Sequence, residues 1–287
     1  MRKKLWTYIT FTLLIMLTLS ACSTNMDNTQ EQEQKDEPTA TSIINQSIDE
    51  FNALKSLHID VSSNQTVTFA VDSQTQNQTI DSSLAIDLVQ QPDTAFHIEQ
   101  NTEYPEVAEG VASETYFSDQ GMFTYDPIQQ AWIQIPEENY EHTLSLYKIQ
   151  YNLSDELSWF TDQLTESAFL LTEKEDTFIV SFDMPEDKKK AFIERFLKHS
   201  MPADSVGNLG INYEELEVTS FTYKLTLATD TLQPQTRQMA FDISSGEDLA
   251  LQHELLATYS SFGDIDSIVI PDDVIKTAQP VNSFPAS

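Results

Sequence analysis

Residues 57–71 read LHIDVSSNQTVTFAV, and this stretch carries the pattern that decides the fold. Its large apolar side chains keep to odd-numbered positions at both ends: Leu57, Ile59, Val61, Val67, Phe69 and Val71. Successive side chains of a strand point to opposite faces, so this period of two predicts a long strand with one apolar and one polar face. Strands of this kind are typical of antiparallel sheets.

The same alternation recurs along the chain and is interrupted by helical spacing. Further strand patterns fall around 84–88, 96–98, 116–135, 168–182, 216–260 and 268–270. Helical spacing is found at 41–57, where Thr41 or Ser42 would be the N-cap, and at 137–164 (two helices), 185–199 and 272–275. Strands outnumber helices and do not alternate with them, which argues against a parallel α/β sheet.

These patterns predict an α+β fold with a large antiparallel sheet that curls around helices. A long sheet with one apolar face must cover that face, and the intervening helices are its cover. No linker or change of composition divides residues 42–278, so we expect one domain there and a loose C-terminal tail at 279–287. The apolar parity changes between Val218 and Phe221, which predicts a β-bulge.

The N-terminus has the organisation of a secretory signal over residues 1–21. Arg2-Lys3-Lys4 precedes an uncharged, mostly apolar run from Leu5 to Leu19, which is shorter than the roughly 20 residues of a membrane span. The run ends in Leu19, Ser20, Ala21 and Cys22, which resembles the bacterial lipobox. That resemblance implies lipidation of the Cys22 sulfur and cleavage before it. Cys22 is the only cysteine, so disulfides within the chain are excluded.

The chain is strongly acidic. Its 287 residues include 46 acidic and 15 basic side chains, for a net charge of −31. Removal of residues 1–21 takes three basic residues with it, leaving 12 basic against 46 acidic side chains and a net charge of −34. Such a field repels phosphate backbones, so nucleic acid is not an expected partner. Residues 22–41 are almost entirely polar and are expected to form a disordered acidic tether after the lipidated cysteine.

Two further stretches resemble a known group of proteins. Residues 114–126, ETYFSDQGMFTYD, followed by Ala131-Trp132-Ile133, are similar to a strand–turn–strand run in Gram-positive lipoproteins, and residues 264–271, DIDSIVIP, resemble their last strand. Together with the lipobox and the strand order, they make the chain resemble the lipoproteins related to LolA and to the LppX–LprG group. The resemblance implies an open half-barrel with helices on its concave face, and a cavity there for lipid or another apolar ligand.

No catalytic motif is found. The chain has no GxSxG, HExxH, Walker A or GxGxxG sequence, so neither an enzyme activity nor a cofactor is expected. The five histidines are scattered, and His58 and His97 fall in strand patterns where a hydrogen-bonded structural role is more frequent than metal ligation. Acidic groups at 264–273 and 214–217 lack the spacing of an EF-hand, and no metal site is predicted.

Two sets of residues are candidates for ligand or membrane contact. The resemblance favours a cavity lined by aromatic side chains, namely Tyr116, Phe123, Tyr125, Trp132, Trp159 and Phe160. The second set lies on the predicted helix near residue 190, which combines a basic run with an apolar stripe: Lys188, Lys189, Lys190, Phe192 and Phe196. This helix is interpreted either as an amphipathic helix packed on the sheet or as a lid that opens to contact anionic lipid headgroups.

The sequence therefore predicts an extracytoplasmic, non-catalytic lipoprotein anchored to the outer face of the cell membrane. Its favoured role is to bind a hydrophobic or amphipathic, lipid-like ligand in the half-barrel cavity. The alternative is a structural or interaction lipoprotein of the cell envelope whose core is fully packed and holds no small molecule. Protein partners are not predicted.

Overall fold

The computed structural model describes residues 38–71, 74–104, 110–200, 211–246 and 249–281; of residues 146, 148–151, 199 and 200 it describes only the backbone. The predicted signal, the lipobox and Cys22 lie outside the described residues. The helices are α1 (Ala40–Ala53), α2 (Tyr140–Tyr151), α3 (Leu153–Gln163), α4 (Glu186–Ser200) and α5 (Asp272–Thr277). Short 3₁₀ turns lie at Glu137–Asn139, Glu166–Ala168 and Tyr213–Glu215.

In the described part of the chain, twelve strands form one sheet that is not closed. They are β1 (Ser56–Val71), β2 (Gln74–Val89), β3 (Ala95–Glu103), β4 (Val111–Ser118), β5 (Gly121–Asp126), β6 (Ala131–Ile135), β7 (Phe169–Lys174), β8 (Thr177–Phe182), β9 (Leu216–Ala228), β10 (Pro234–Ser245), β11 (Leu249–Ser260) and β12 (Gln279–Pro280). Their spatial order is β12-β6-β5-β4-β3-β2-β1-β11-β10-β9-β8-β7. The predicted fold class, an open antiparallel sheet with helices packed against it, is confirmed.

The long strand β1 lies at the centre of the sheet. It pairs with β2 from Ser56 to Val71 and with β11 from His58 to Phe69. The chain therefore builds one half of the sheet as the meander β1–β6, crosses through α2 and α3, and builds the other half as β7–β11. Every pair in this order is antiparallel except β12 with β6, which is parallel.

The sheet has two different faces, which we name by what covers them. The packed face carries Leu57, Ile59 and Val61 and is covered by α1 to α4. The open face carries the even-numbered side chains of β1 and has the segment 264–278 over one part of it. Ile270 and Val274 of that segment bury Tyr116 and Phe123.

The helices form where the sequence spacing predicts them, with differences at their ends. Helix α1 begins at Ala40 and not after Thr41 or Ser42, because the Oγ1 of Thr39 accepts a hydrogen bond from the backbone N–H of Ser42 and caps the helix. The carboxylate of Glu166 accepts two further N–H bonds from the first turn of α1.

Two further sequence expectations concern strands β9 to β12. The predicted bulge is confirmed, because the register of β9 against β10 shifts between the Ser220–Asp242 and Val218–Ile243 pairs. The predicted strand at 268–270 is wrong: this segment is not paired, and Ile268 and Ile270 pack on the open face while Val269 points to solvent. Gln279 and Pro280, placed by the sequence in the tail, pair with β6. Among the described residues, no helix is both long and apolar enough to cross a membrane.

Candidate functional site

A single row of side chains crosses seven strands on the open face. The registers place them side by side from β9 to β4 in the order Lys224, Gln238, Leu256, Ser62, Ser83, Asn101 and Ala112. Successive side chains of a strand point to opposite faces. Each of these residues alternates with the residues of its strand that face the helices, so all seven side chains lie on the side opposite the helices. Apart from Leu256, the row consists of short or polar side chains, which leave space above the sheet.

Two cavities lie along this row. One has a volume of about 810 Å³ and extends over β1–β3 and β8–β11. The other has about 690 Å³ and extends towards β4, β5 and β6. Both are lined by Ser62, Ser83, Asn101 and Leu256, so they form one continuous trough across the sheet. Each is within the range of ligand pockets in proteins.

The trough is lined by polar and acidic side chains together with apolar ones such as Phe221 and Leu256. Neutral hydroxyl and amide groups come from Ser62, Asn64, Ser83, Asn101, Thr222, Gln238 and Thr258. Carboxylates come from Asp60, Asp81, Glu99, Glu103, Glu114 and Glu254, against one ammonium group, that of Lys224. The field in the trough is therefore negative, and it disfavours an anionic ligand.

Two aromatic side chains close the end of the trough over β5 and β6. The rings of Tyr125 and Trp132 meet edge to face, with centroids 5.6 Å apart. Behind them Tyr116 packs on Trp132 at 5.7 Å and is itself buried under the segment 264–278. Aromatic rings offer flat apolar surface, so this end of the trough fits the apolar part of a ligand.

The packed face contrasts with the trough because its interior is filled. Phe160 of α3 is fully buried, with its ring centroid 4.4 Å from that of Phe182 and 4.7 Å from that of Phe192. A cavity between α3 and α4 has only about 20 Å³, which is room for one water molecule.

A buried ion pair connects the helices to the sheet on the packed face. The carboxylate of Glu156 in α3 accepts a hydrogen bond from the hydroxyl of Tyr223 and lies 3.2 Å from the Nη1 of Arg237. Burial lowers the pKa of Arg237, but the adjacent carboxylate outweighs it and raises that pKa above its ordinary value. Glu156 and Arg237 are 5% and 2% exposed, so each charge depends on the other for compensation.

His253 lies in the same layer and is kept neutral. Burial, with a further contribution from the charge of Arg237, lowers the pKa of His253 to about 4. Its ring packs against Phe241 and Phe196, at 4.9 and 5.4 Å between centroids. His253 is therefore neutral near pH 7, and its protonation would lower the stability of the folded protein.

The six aromatic residues predicted to line one cavity fall on both faces of the sheet. Tyr125 and Trp132 line the trough, and Tyr116 and Phe123 lie beside it under the segment 264–278. Trp159 and Phe160 belong to α3 and pack on the opposite face, against Phe192. The structure thus brings four of the six together and separates the other two from them.

The basic helix α4 packs against the sheet. Phe192 and Phe196 are 2% and 8% exposed and belong to the main core. The ammonium groups contact neighbours: Lys188 donates to the Oε1 of Gln163, Lys189 pairs with Glu186, and Lys190 donates to the carbonyl of Glu214. Its role as a lid towards anionic lipid stays a prediction.

Several residues of these sites were not predicted. Arg237 alternates along β10 with the same period as the buried residues Met239, Phe241 and Ile243. A charged residue at such a position indicates that it is buried together with a group of opposite charge. Glu156 gives the corresponding signal on α3, between Leu153 and Leu157. The trough gives no such signal, because its row of small polar residues is visible only once the strand registers are known.

The fold and the site together define an open antiparallel half-barrel with a packed face and a trough on the other face. The chain belongs to a family described as a family of unknown function (DUF6612), whose profile matches residues 39–279. Among curated proteins, none matches this sequence.

Solved structures similar to this chain include proteins from three bacteria. LprF from Mycobacterium bovis is 17% identical, with 81% of this chain and 95% of that chain covered and a TM-score of 0.42. A DUF1329 family protein from Desulfovibrio piger is 9% identical, with coverages of 83% and 97% and a TM-score of 0.24. The LolA superfamily protein NE2245 from Nitrosomonas europaea is 8% identical, with coverages of 83% and 97% and a TM-score of 0.17. The structures similar to this chain thus include LprF and a LolA superfamily protein, members of the two groups that the sequence resembles.

Proposed function

We propose that this protein is a non-catalytic, extracytoplasmic lipoprotein, anchored through Cys22, that binds an amphipathic ligand in the trough of the open face. The observation that carries the proposal is the continuity of the two cavities through Ser62, Ser83, Asn101 and Leu256. A ligand lying along this row would contact side chains from at least seven strands. The site differs from the one expected from the sequence, which was on the side of the helices.

The lining indicates the kind of ligand. Hydroxyl and amide groups both donate and accept hydrogen bonds, so they suit a neutral, hydroxyl-rich head group. The apolar part of the ligand would lie on Tyr125 and Trp132. Six carboxylates against one lysine oppose a phosphate or carboxylate head, so we expect the ligand to be neutral or cationic.

The proposal is tested by identifying what the protein carries. The full-length protein is purified from membranes and extracted with organic solvent, and the extract is analysed by mass spectrometry. The variant Ser83→Trp places an indole at the junction of the two cavities, at an exposed position where we expect folding to be retained. The control Thr226→Trp adds the same group to the same face outside the trough.

Reproducible amphiphiles in the wild type and in Thr226→Trp, and their loss from Ser83→Trp, are the expected result. Equal amounts in all three proteins would contradict binding in the trough.

The alternative function is that of a structural or interaction lipoprotein without a small-molecule ligand. The filled interior of the packed face favours it, because the rings around Phe160 leave no lipid-sized space between them. A wild-type protein that yields no ligand on extraction would favour this function over the first.

Anchoring is common to both functions and has its own test. Two acyl chains on one residue hold a protein at a membrane, since each buried CH₂ contributes about 0.8 kcal/mol. Cys22→Ala is therefore expected to leave the membrane fraction or to stay unprocessed. A Cys22→Ala protein that remains in the membrane fraction at the processed size would contradict the anchor.

A further inference from the structure

One cluster on the open face combines an imidazole with two carboxylates. The strand registers place His97 and Glu99 two residues apart on β3 and Glu114 directly opposite Glu99 on β4. All three side chains therefore project from the same face, and one ligand atom of each lies within 4.8 Å of the others. Glu99 and Glu114 also line the 690 Å³ cavity, so the cluster opens into the trough.

We propose that His97, Glu99 and Glu114 bind a divalent transition-metal ion of the Zn²⁺ type. Imidazole nitrogen and carboxylate oxygen are both ligands for such ions, at bond lengths of about 2.0–2.2 Å. Ligand atoms of a tetrahedral site at these lengths are about 3.3 Å apart. The Nε2 of His97 lies 2.9 Å from the Oε1 of Glu114 and 3.8 Å from the Oε1 of Glu99, which brackets that distance.

The surroundings hold the imidazole and one carboxylate in place. The ring of Tyr116 stacks on that of His97, with centroids 4.2 Å apart and planes at 8°. The hydroxyl of Tyr116 donates to the Oε1 of Glu114 at 2.6 Å. Outer hydrogen bonds of this kind orient the ligands of metal sites, and Tyr116 is only 8% exposed, so it provides a fixed support.

The two carboxylates also have an electrostatic reason to bind a cation. Like charges directly opposite on neighbouring strands destabilise a sheet. Glu99 and Glu114 form such a pair, and a divalent ion between them would convert the repulsion into an attraction.

The same face contains a second cluster of one imidazole and two carboxylates, with a different geometry. His58 contacts Asp87 through its Nδ1 at 2.7 Å and Asp60 through its Nε2 at 3.3 Å. The two ring nitrogens point in opposite directions, so these carboxylates cannot surround one ion at one nitrogen. At His97 both carboxylates lie at the same nitrogen, Nε2. His58 is therefore a matched control.

The test is calorimetric titration of Zn²⁺ into the full-length protein in phosphatidylcholine nanodiscs, with a scaffold protein that carries no His tag. We expect one tight equivalent for the wild type and for His58→Ala. His97→Ala and Glu114→Gln should weaken that equivalent at least about tenfold. Glu99→Gln changes a side chain that is 66% exposed, so it tests the same ligand set with no risk to folding.

Unchanged Zn²⁺ binding in Glu99→Gln and His97→Ala, or an equal loss of binding in His58→Ala, would overturn the proposal. The measured heat would then come from Zn²⁺ binding to other surface carboxylates. The metal site does not require the trough to bind an amphiphile. Zn²⁺ binding that survives Ser83→Trp while the amphiphile is lost would show the two sites to be independent.

Discussion

The two faces of one sheet differ in almost every property that decides function. On the packed face, large side chains such as Phe160 fill the space, and the charges of Glu156 and Arg237 are buried and paired. On the open face, short side chains such as Ser62 and Ser83 leave a trough, and its carboxylates remain in contact with solvent. The same alternation along β1 produces both faces, because most odd positions of this strand are apolar and most even positions are polar.

The difference separates stability from binding. Substitutions on the packed face should change the free energy of unfolding and leave ligand binding intact in the folded fraction. Substitutions in the trough should do the opposite. Four experiments test this separation, beginning with the largest expected effect.

The largest effect is expected from breaking the buried ion pair. Glu156→Ala leaves the guanidinium of Arg237 buried without its carboxylate, which should cost about 3–5 kcal/mol of unfolding free energy in urea titrations. Asp162→Ala removes an exposed carboxylate from the same helix and should cost less than about 0.5 kcal/mol. Similar costs for the two variants would mean that the pair does not hold α3 on the sheet.

A second effect concerns acid and His253. The folded-state pKa of about 4 lies below the ordinary value of about 6.5, so between these values the unfolded chain binds a proton that the folded chain does not. Stability is therefore lost as the pH falls through this window, by roughly 3 kcal/mol in total.

His253→Gln should show a shallower decline of stability between pH 6.5 and pH 4 than the wild type. The control is His142→Gln, at an exposed position, which should follow the wild-type curve. Parallel curves for the wild type and His253→Gln would rule out a buried neutral histidine.

A third effect is expected where the two faces meet, at the turn between β4 and β5. Gly121 has φ +123°, and an added Cβ would lie 3.2 Å from the ring of Phe123 and 3.3 Å from the hydroxyl of Tyr140. Gly121→Ala should cost about 1–3 kcal/mol in urea titrations. Gly263→Ala also has positive φ but no neighbouring atom within 4 Å, so it should cost less. The reverse order would show that contacts at this turn do not limit the substitution.

The smallest effect on stability is expected in the trough itself. Ser83→Trp should change the free energy of unfolding by no more than about 0.5 kcal/mol, because the position is exposed and tryptophan is favourable in strands. Its thermal unfolding should coincide with that of Thr226→Trp. A cost above about 2 kcal/mol would place Ser83 in the packed interior and remove the distinction between the faces.

The sequence predicts the fold better than the site, for physical reasons. Burial imposes a period on the chain, so the alternation of Leu57, Ile59 and Val61 and the parity change near Phe221 reveal strands and a bulge directly. The final apolar segment has the pattern of a strand but does not pair, because apolar residues such as Ile270 can also be buried by packing on a sheet face.

The trough and the His97 cluster depend on which residues stand opposite each other across strands. Glu114 is 17 positions from His97, and only the register of β3 against β4 brings them together. The same holds for the aromatic candidates. Trp132 and Trp159 both lie in apolar sequence patterns, but the topology places them on opposite faces of the sheet. Local pattern therefore predicts which residues are buried, and long-range register decides which residues meet.

The fluorescence of two tryptophans can show whether the ligand binds to the open face of the sheet. The three tryptophans of the chain are Trp6 in the predicted signal, Trp132 in the trough and Trp159 on the packed face. A chain that begins at residue 22 with Cys22→Ser is prepared as Trp159→Phe, in which only Trp132 emits, and as Trp132→Phe, in which only Trp159 emits. Each is titrated with dodecyl maltoside, a neutral amphiphile with a hydroxyl-rich head, below its critical micelle concentration. We expect the emission of Trp132 to shift to shorter wavelength and saturate while that of Trp159 stays constant. A shift of Trp159 with a constant Trp132, or no shift in either protein, would contradict binding in the trough.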